Sequence, residues 1–172
     1  MDFSILHNNS IRIRTKRASF VVDPVKSISK TNADAVILLD KEVVDLSRVE
    51  DHRVVLQGEG EYEVKNVKIS GIGVGDGFVY SIFADNLSLV LGKVSMVSRI
   101  RDKSLPCQVA VFYVDEKLEV IAARLDPLIV VLYGEKKIEG AKELGRDHIK
   151  PVGKVTLTKE KLPGEMEVVI LG

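Results

Sequence analysis

Three observations predict a β-rich sandwich with few helices. Runs of Val, Ile and Leu bounded by Gly, Pro, Asp and Asn recur along the 172 residues, which is a strand signature. Ile11–Lys16 alternates strictly, aiming its isoleucines at a core and its cations at water. One segment, Lys136–Arg146, reads as a good helix: Ile138, Ala141 and Leu144 fall at helical spacing, and Gly140 weakens it.

The elements follow in order. Ala18–Asp23 is a strand ended by Pro24, and Ala35–Leu39 is continuously apolar, as expected of a strand covered on both faces. Arg53–Gln57, Tyr62–Lys65 and Val67–Ser70 come next. The glycine-rich stretch Gly71–Gly77 separates these from Phe78–Phe83 and Leu87–Leu91. In the second half Val109–Tyr113, Leu118–Ile121, Leu128–Tyr133, Val155–Leu157 and Glu167–Leu171 read as strands. Short helical turns are expected at Ser47–Glu50 and Val94–Arg101. No segment reads as a linker, so residues 1–172 are expected to form one domain.

Composition narrows the function. Hydrophobic residues at 45% and charged residues at 29% are a globular balance. Lys+Arg and Asp+Glu both number 25, so net charge gives no pull toward nucleic acid or an acidic membrane. With aromatics at 5%, the strip Arg12, Arg14, Lys16 and Arg17 lacks stacking surface and reads as a solvated face. The longest apolar runs fall far short of the ~20 residues that cross a bilayer. Met1–His7 has neither the basic start nor the apolar run of a signal peptide. The expectation is a soluble cytoplasmic protein, with no nucleic-acid or membrane partner.

The usual catalytic groups are sparse. The three histidines, His7, His52 and His148, stand more than forty residues apart, and Cys107 is the single cysteine. A chelate of nitrogen or sulfur ligands is therefore not expected. Cys107 follows Pro106 with no basic activator nearby, and a buried inert thiol is the expected state. The spacing of Gly71–Gly77 matches neither the dinucleotide fingerprint nor the P-loop, so Gly75-Asp76-Gly77 reads as a hairpin turn.

One stretch is distinctive: Gln57-Gly-Glu-Gly-Glu-Tyr-Glu-Val-Lys-Asn-Val-Lys-Ile-Ser-Gly-Ile72. It closely resembles the Gly-Pro-Gly-Glu-Tyr-Glu-Val-x-Gly-Val-x-Ile-x-Gly-Ile segment of a small bacterial branch of the metallo-β-lactamase-fold hydrolases. Ser19–Pro24, Ala33–Leu39, Leu87–Gly92 and Val155–Leu171 are similar to strands of that family in the same order. The resemblance implies a four-layer αββα sandwich, here with reduced outer helices. It also implies that Gly58–Ile72 is structural, with Gly58 and Gly60 setting the backbone and Tyr62 packing inward.

The family's metal loop, His-x-His-x-Asp-His, aligns with Lys41–Leu46. Lys41, Val43 and Leu46 stand at its histidines, leaving Asp45. Lys93 stands where an Asp would bridge two metals, Gly134 where the last His is expected, and Asn8 at the early Gly-His pair, with His7 displaced by one. Valine and leucine offer no lone pair, and ammonium groups repel a divalent cation. Lys41 and Lys93 are either charge replacements for the metal, neutralising Asp45 or Asp23, or simply exposed. The resemblance thus implies a metal-free protein with no cofactor that binds, assembles or regulates, with Asp23, Asp45 and Lys93 as residual binding residues for an unspecified small molecule. The alternative is a hydrolase working without zinc, with Mg²⁺ or Ca²⁺ held by Asp40, Glu42 and Asp45 near Asp23. Sparse helical cover and the unguarded strands Val109–Tyr113 and Leu128–Tyr133 further suggest a homo-oligomer.

Overall fold

A computed structural model describes residues 1–42, 44–100 and 105–172. Along the chain run β1 (Asp2–His7), β2 (Ser10–Arg14), β3 (Ser19–Val22), β4 (Thr31–Asn32), β5 (Ala35–Ile37), β6 (Val49–Glu50), β7 (Val54–Leu56) and β8 (Gly60–Val64). There follow β9 (Val67–Val74), β10 (Gly77–Ala84), β11 (Leu87–Lys93), α1 (Val94–Val97), β12 (Val109–Tyr113) and α2 (Glu119–Leu125). The chain closes with β13 (Ile129–Tyr133), α3 (Lys137–Glu143), β14 (Lys154–Thr156) and β15 (Glu167–Ile170).

Two large sheets result. Six strands pair in the order β14-β1-β2-β3-β5-β7 and seven in the order β15-β13-β12-β11-β10-β9-β8. The meander β8 to β11 is antiparallel, and two of its turns carry paired left-handed residues, Lys65-Asn66 at φ 49° and 63° and Asp85-Asn86 at φ 52° and 60°. That conformation matches the twist of two-residue hairpins. Gly75, at φ 59°, turns the third, as expected. Strands β11, β12, β13 and β15 run parallel, as do β3, β5 and β7.

Alternation along the strands makes three apolar layers. Phe3, Ile11, Ile13, Phe20, Tyr80 and Val111 belong to the cluster between the two sheets. The outer face of the seven-stranded sheet packs Val90, Phe112 and Val130 against Val94 and Val97 of α1, Ile121 of α2 and Ala141 of α3. On the other side, loops carrying Ile28 and Ala33 and the β4–β6 pair cover Val21 and Val36. The fold is the expected β-rich sandwich with reduced helices, and the reduction falls on one side: the helices cover the seven-stranded sheet, and loop covers the six-stranded one. Among the described residues no helix is long and apolar enough to cross a membrane.

Several local expectations are corrected. Leu118–Ile121 is not a strand but the entry to α2; Leu118 and Ile121, three residues apart, both face the helical layer. Ser47–Glu50 forms no helix, because Val49–Glu50 pairs with Thr31–Asn32. Of the turn expected at Val94–Arg101, Val94–Val97 is helical, and Arg101 lies outside the described residues. Only the end of the glycine stretch separates strands: Gly75-Asp76 turns between β9 and β10, while Gly71 and Gly73 lie inside β9. A Cβ at Gly71 would stand 2.2 Å from the Gly58 carbonyl oxygen, so the close approach of two backbones requires glycine there. Asp2–His7, which shows no strong strand signal, is a strand between β2 and β14. Val109–Tyr113 and Leu128–Tyr133 supply the interior strands β12 and β13, so neither is a bare edge.

Candidate functional site

Parallel strands deliver their carboxyl ends to one edge of the sandwich, the usual place for a ligand in such sheets. There β3 ends before Asp23, β5 leads through Leu39 to Asp40, and β11, β12 and β13 end at Lys93, Tyr113 and Tyr133, which are register neighbours. A cleft of about 390 Å³ opens at this edge, lined by Asn9, Asp23, Asp40, Asp45, Lys93 and Tyr113 among others.

Asp23 takes a left-handed φ of 42° as the chain leaves β3. Its Oδ1 accepts the Leu39 N–H at 2.9 Å. Burial pushes its carboxyl up to about 7 against that hydrogen bond; the Asp40 charge raises it further and Lys93 pulls it down.

The Lys93 Nζ donates to Asp40 Oδ2 in an ion pair. It also stands 5.4 Å from the centroid of the Tyr113 ring, a cation–π geometry. Burial alone would lower the pKa of this ammonium, but the hydrogen bond and charge of Asp40, with Asp23 and Asp115 behind it, outweigh burial and raise it. Tyr113 donates to Asn9 Oδ1 at 3.4 Å and meets Tyr133 edge to face, with centroids 5.5 Å apart. The Tyr133 hydroxyl is buried without a hydrogen-bond partner, and burial raises its pKa well above the usual phenol value.

The other site positions sort plainly. Asp45 lines the cleft, but it is exposed and its Oδ1 caps a turn by accepting the Ser47 N–H at 2.9 Å. Lys41 does not face the cleft acids; it donates to the Gly75 carbonyl at 3.0 Å and stands 6.0 Å from the Phe78 ring centroid. Leu46 is half-buried against the loop-covered outer layer. Gly134 is buried at φ 98°, and a Cβ there would press within 3.0 Å of the Tyr113 ring. Asn8 is exposed and accepts from Lys137 Nζ at 3.3 Å; its neighbour Asn9 lines the cleft instead. Val43 lies outside the described residues.

Among the described residues no group of three His, Cys, Asp or Glu side chains is arranged to hold a metal ion. The donor set therefore does not fit the two-metal centre that the sequence resemblance brings to mind: an ammonium stands at Lys93 and no side chain at Gly134. Sequence reading missed Tyr113 beside Lys93, and Tyr133 and Asn9 as the contacts of Tyr113. The available signal was that Tyr113 and Tyr133 each close an apolar strand at the same end of the sheet. Cys107 is half-buried beside the helical layer, and burial pushes its thiol up to about 12, an unreactive state.

No protein-family profile matches the chain. No curated protein matches it. Solved structures do. A Thermotoga maritima protein assigned as a zinc-dependent hydrolase of the metallo-β-lactamase superfamily superposes with a TM-score of 0.76 at 18% identity, over 99% of this chain and 97% of the other. A Parabacteroides distasonis protein assigned as a metal-dependent hydrolase matches with a TM-score of 0.59 at 14% identity, over 99% and 93%. The metallo-β-lactamase fold protein YhfI of Bacillus subtilis matches with a TM-score of 0.60 at 10% identity, over 99% and 96%. Likeness at these identities speaks for architecture and not for chemistry. Together with the two packed sheets and the helical outer layer, it establishes that this chain has the metallo-β-lactamase fold.

Proposed function

We propose that the chain is a metal-free relative of the metallo-β-lactamase-fold hydrolases, and that it binds, assembles or regulates rather than hydrolyses. The observation that carries this reading is the Lys93–Asp40 ion pair at the carboxyl end of β11. A tethered ammonium there occupies an acid that could otherwise serve a cation. At 4 Å and an effective dielectric of about 20, each pair of like unit charges costs about 4 kcal/mol, so a divalent ion beside Lys93 is strongly disfavoured.

Elemental analysis of protein purified without chelator tests the proposal. The expected result is zinc, iron and manganese well below one atom per chain, unchanged after dialysis against each metal. Close to one or more tightly held metal atoms per chain would overturn it.

A further inference from the structure

Strand β10 runs eight residues from Gly77, which bridges to Asp40, to Ala84 at the far end of the sandwich, a span of roughly 23 Å. At that far end lies a second concavity of about 400 Å³. Its frame comes from the two left-handed turns at Lys65-Asn66 and Asp85-Asn86 and from the start of the 3-10 turn at Lys159–Lys161.

Charge in this concavity is unevenly spent. Asp85 is committed to the fold: its carboxylate accepts the Lys16 N–H at 3.1 and 3.2 Å and pairs with the Met1 ammonium at 3.3 Å. The exposed heads of Lys16, Arg17 and Lys159 also border the space, and none of the three has a carboxylate partner within 4 Å among the described residues. Three cations therefore face one remaining acid, Glu160.

Beside them stands Phe83, 53% exposed on the outer face of β10 and the most exposed large hydrophobic side chain among the described residues. An exposed phenyl forgoes burial that a stacked ring would restore. Asn66 and Asn86 add amide donors and acceptors to the same wall. Three cations lining one concavity suit a phosphate, the exposed aromatic ring suits a planar base, and the volume is that of a small-ligand site.

We propose that this concavity binds a free mononucleotide, with its phosphate among Lys16, Arg17 and Lys159 and its base on Phe83. The site is independent of the cleft at Lys93 and stands whether or not that cleft is catalytic.

Calorimetric titration of the full chain with adenosine monophosphate at low salt tests the proposal, with amide NMR shifts locating the contact. The expected result is one site per chain, shifts centred on the Asn66 and Asn86 turns, and weakening with added salt. Arg17→Gln and Phe83→Ala, both on exposed side chains, should each weaken binding roughly tenfold. Sodium phosphate alone and adenosine alone should each bind more weakly than the nucleotide. No binding at millimolar nucleotide would overturn the proposal, as would equal affinity of Arg17→Gln or shifts centred on Lys93. Tighter binding of a 5′-phosphorylated oligodeoxynucleotide than of the mononucleotide would overturn the assignment to a free ligand.

Discussion

The Lys93 ammonium is held between the Asp40 carboxylate and the face of the Tyr113 ring, where β11 and β12 end. This arrangement reaches Asp23, whose carboxyl pKa is raised chiefly by burial and which the Lys93 charge helps to ionise. Replacing Lys93 by Met should therefore move the Asp23 midpoint above its value of about 7. Carboxyl-detected NMR titration reads that midpoint, and no upward movement would contradict the assignment. The stability lost should be about 1–3 kcal/mol, because both side chains are mostly buried and Asp40 is left without its partner.

Asp23 itself should imprint a pH dependence on stability. Its folded pKa of about 7 lies above the ordinary 3.8, so between those values the folded state binds more protons than the unfolded state. Stability from this group is then greatest below about pH 4, falls as pH rises toward 7, and levels off above. Carboxyls with lowered pKa, such as Asp2 and Asp34, act with the opposite sign, losing their contribution as the solution is acidified. The difference between wild type and Asp23→Asn isolates Asp23, and the asparagine Oδ1 can still accept the Leu39 N–H. Melting temperatures across pH 5 to 8 should show the variant gaining on wild type as pH rises. Parallel curves would show that Asp23 titrates alike in both states.

Much of the fold could be read from local pattern, because burial enforces it residue by residue. Ile11 and Ile13 alternate with Arg12 and Arg14 since one face of β2 meets the core, and Ala35–Leu39 is uniformly apolar since both faces are covered. Leu118–Ile121 misled because four residues are too few to separate a strand from a helical turn. The site was legible only as a set of positions. Lys93 was marked, but its partner Asp40 lies 53 residues away beyond the end of β5, and only the packing of that segment against the seven-stranded sheet, where Asp40 bridges to Gly77, brings them together. The loop cover of the six-stranded sheet was equally hidden, because Ile28, Ala33 and Val49 are scattered apolar residues with no shared period.

The Gly58–Ile72 segment makes a backbone prediction. Gly60 has φ 130°, where a side chain is strained, and Gly71 abuts the Gly58 carbonyl. Gly60→Val should cost about 1 kcal/mol or more, from conformation alone. Gly71→Ala should cost about 1–3 kcal/mol, because its Cβ must displace backbone rather than a flexible side chain. Urea melts of the two variants check both values, and wild-type midpoints would show that the backbone here yields freely.

Tyr80 offers the last test, of what ties the two sheets near the cleft. Its ring is buried between the sheets, and its hydroxyl lies 3.1 Å from the carbonyl oxygens of both Leu38 and Leu56 and accepts from the Gly58 N–H at 3.4 Å. The one phenolic proton thus serves two carbonyls of the six-stranded sheet from a strand of the seven-stranded sheet. Burial raises the Tyr80 pKa, so the hydroxyl stays protonated and available as a donor. Tyr80→Phe keeps the ring and removes that bridge, leaving the Gly58 N–H without its acceptor. The loss of these buried hydrogen bonds should cost about 1–3 kcal/mol. Because Leu38 leads directly to Leu39, whose N–H binds Asp23, the variant should also speed amide exchange at Leu39. A melting curve measured with hydrogen exchange separates the two effects: destabilisation with Leu39 exchange unchanged would mean that Tyr80 holds the sheets together without positioning the cleft.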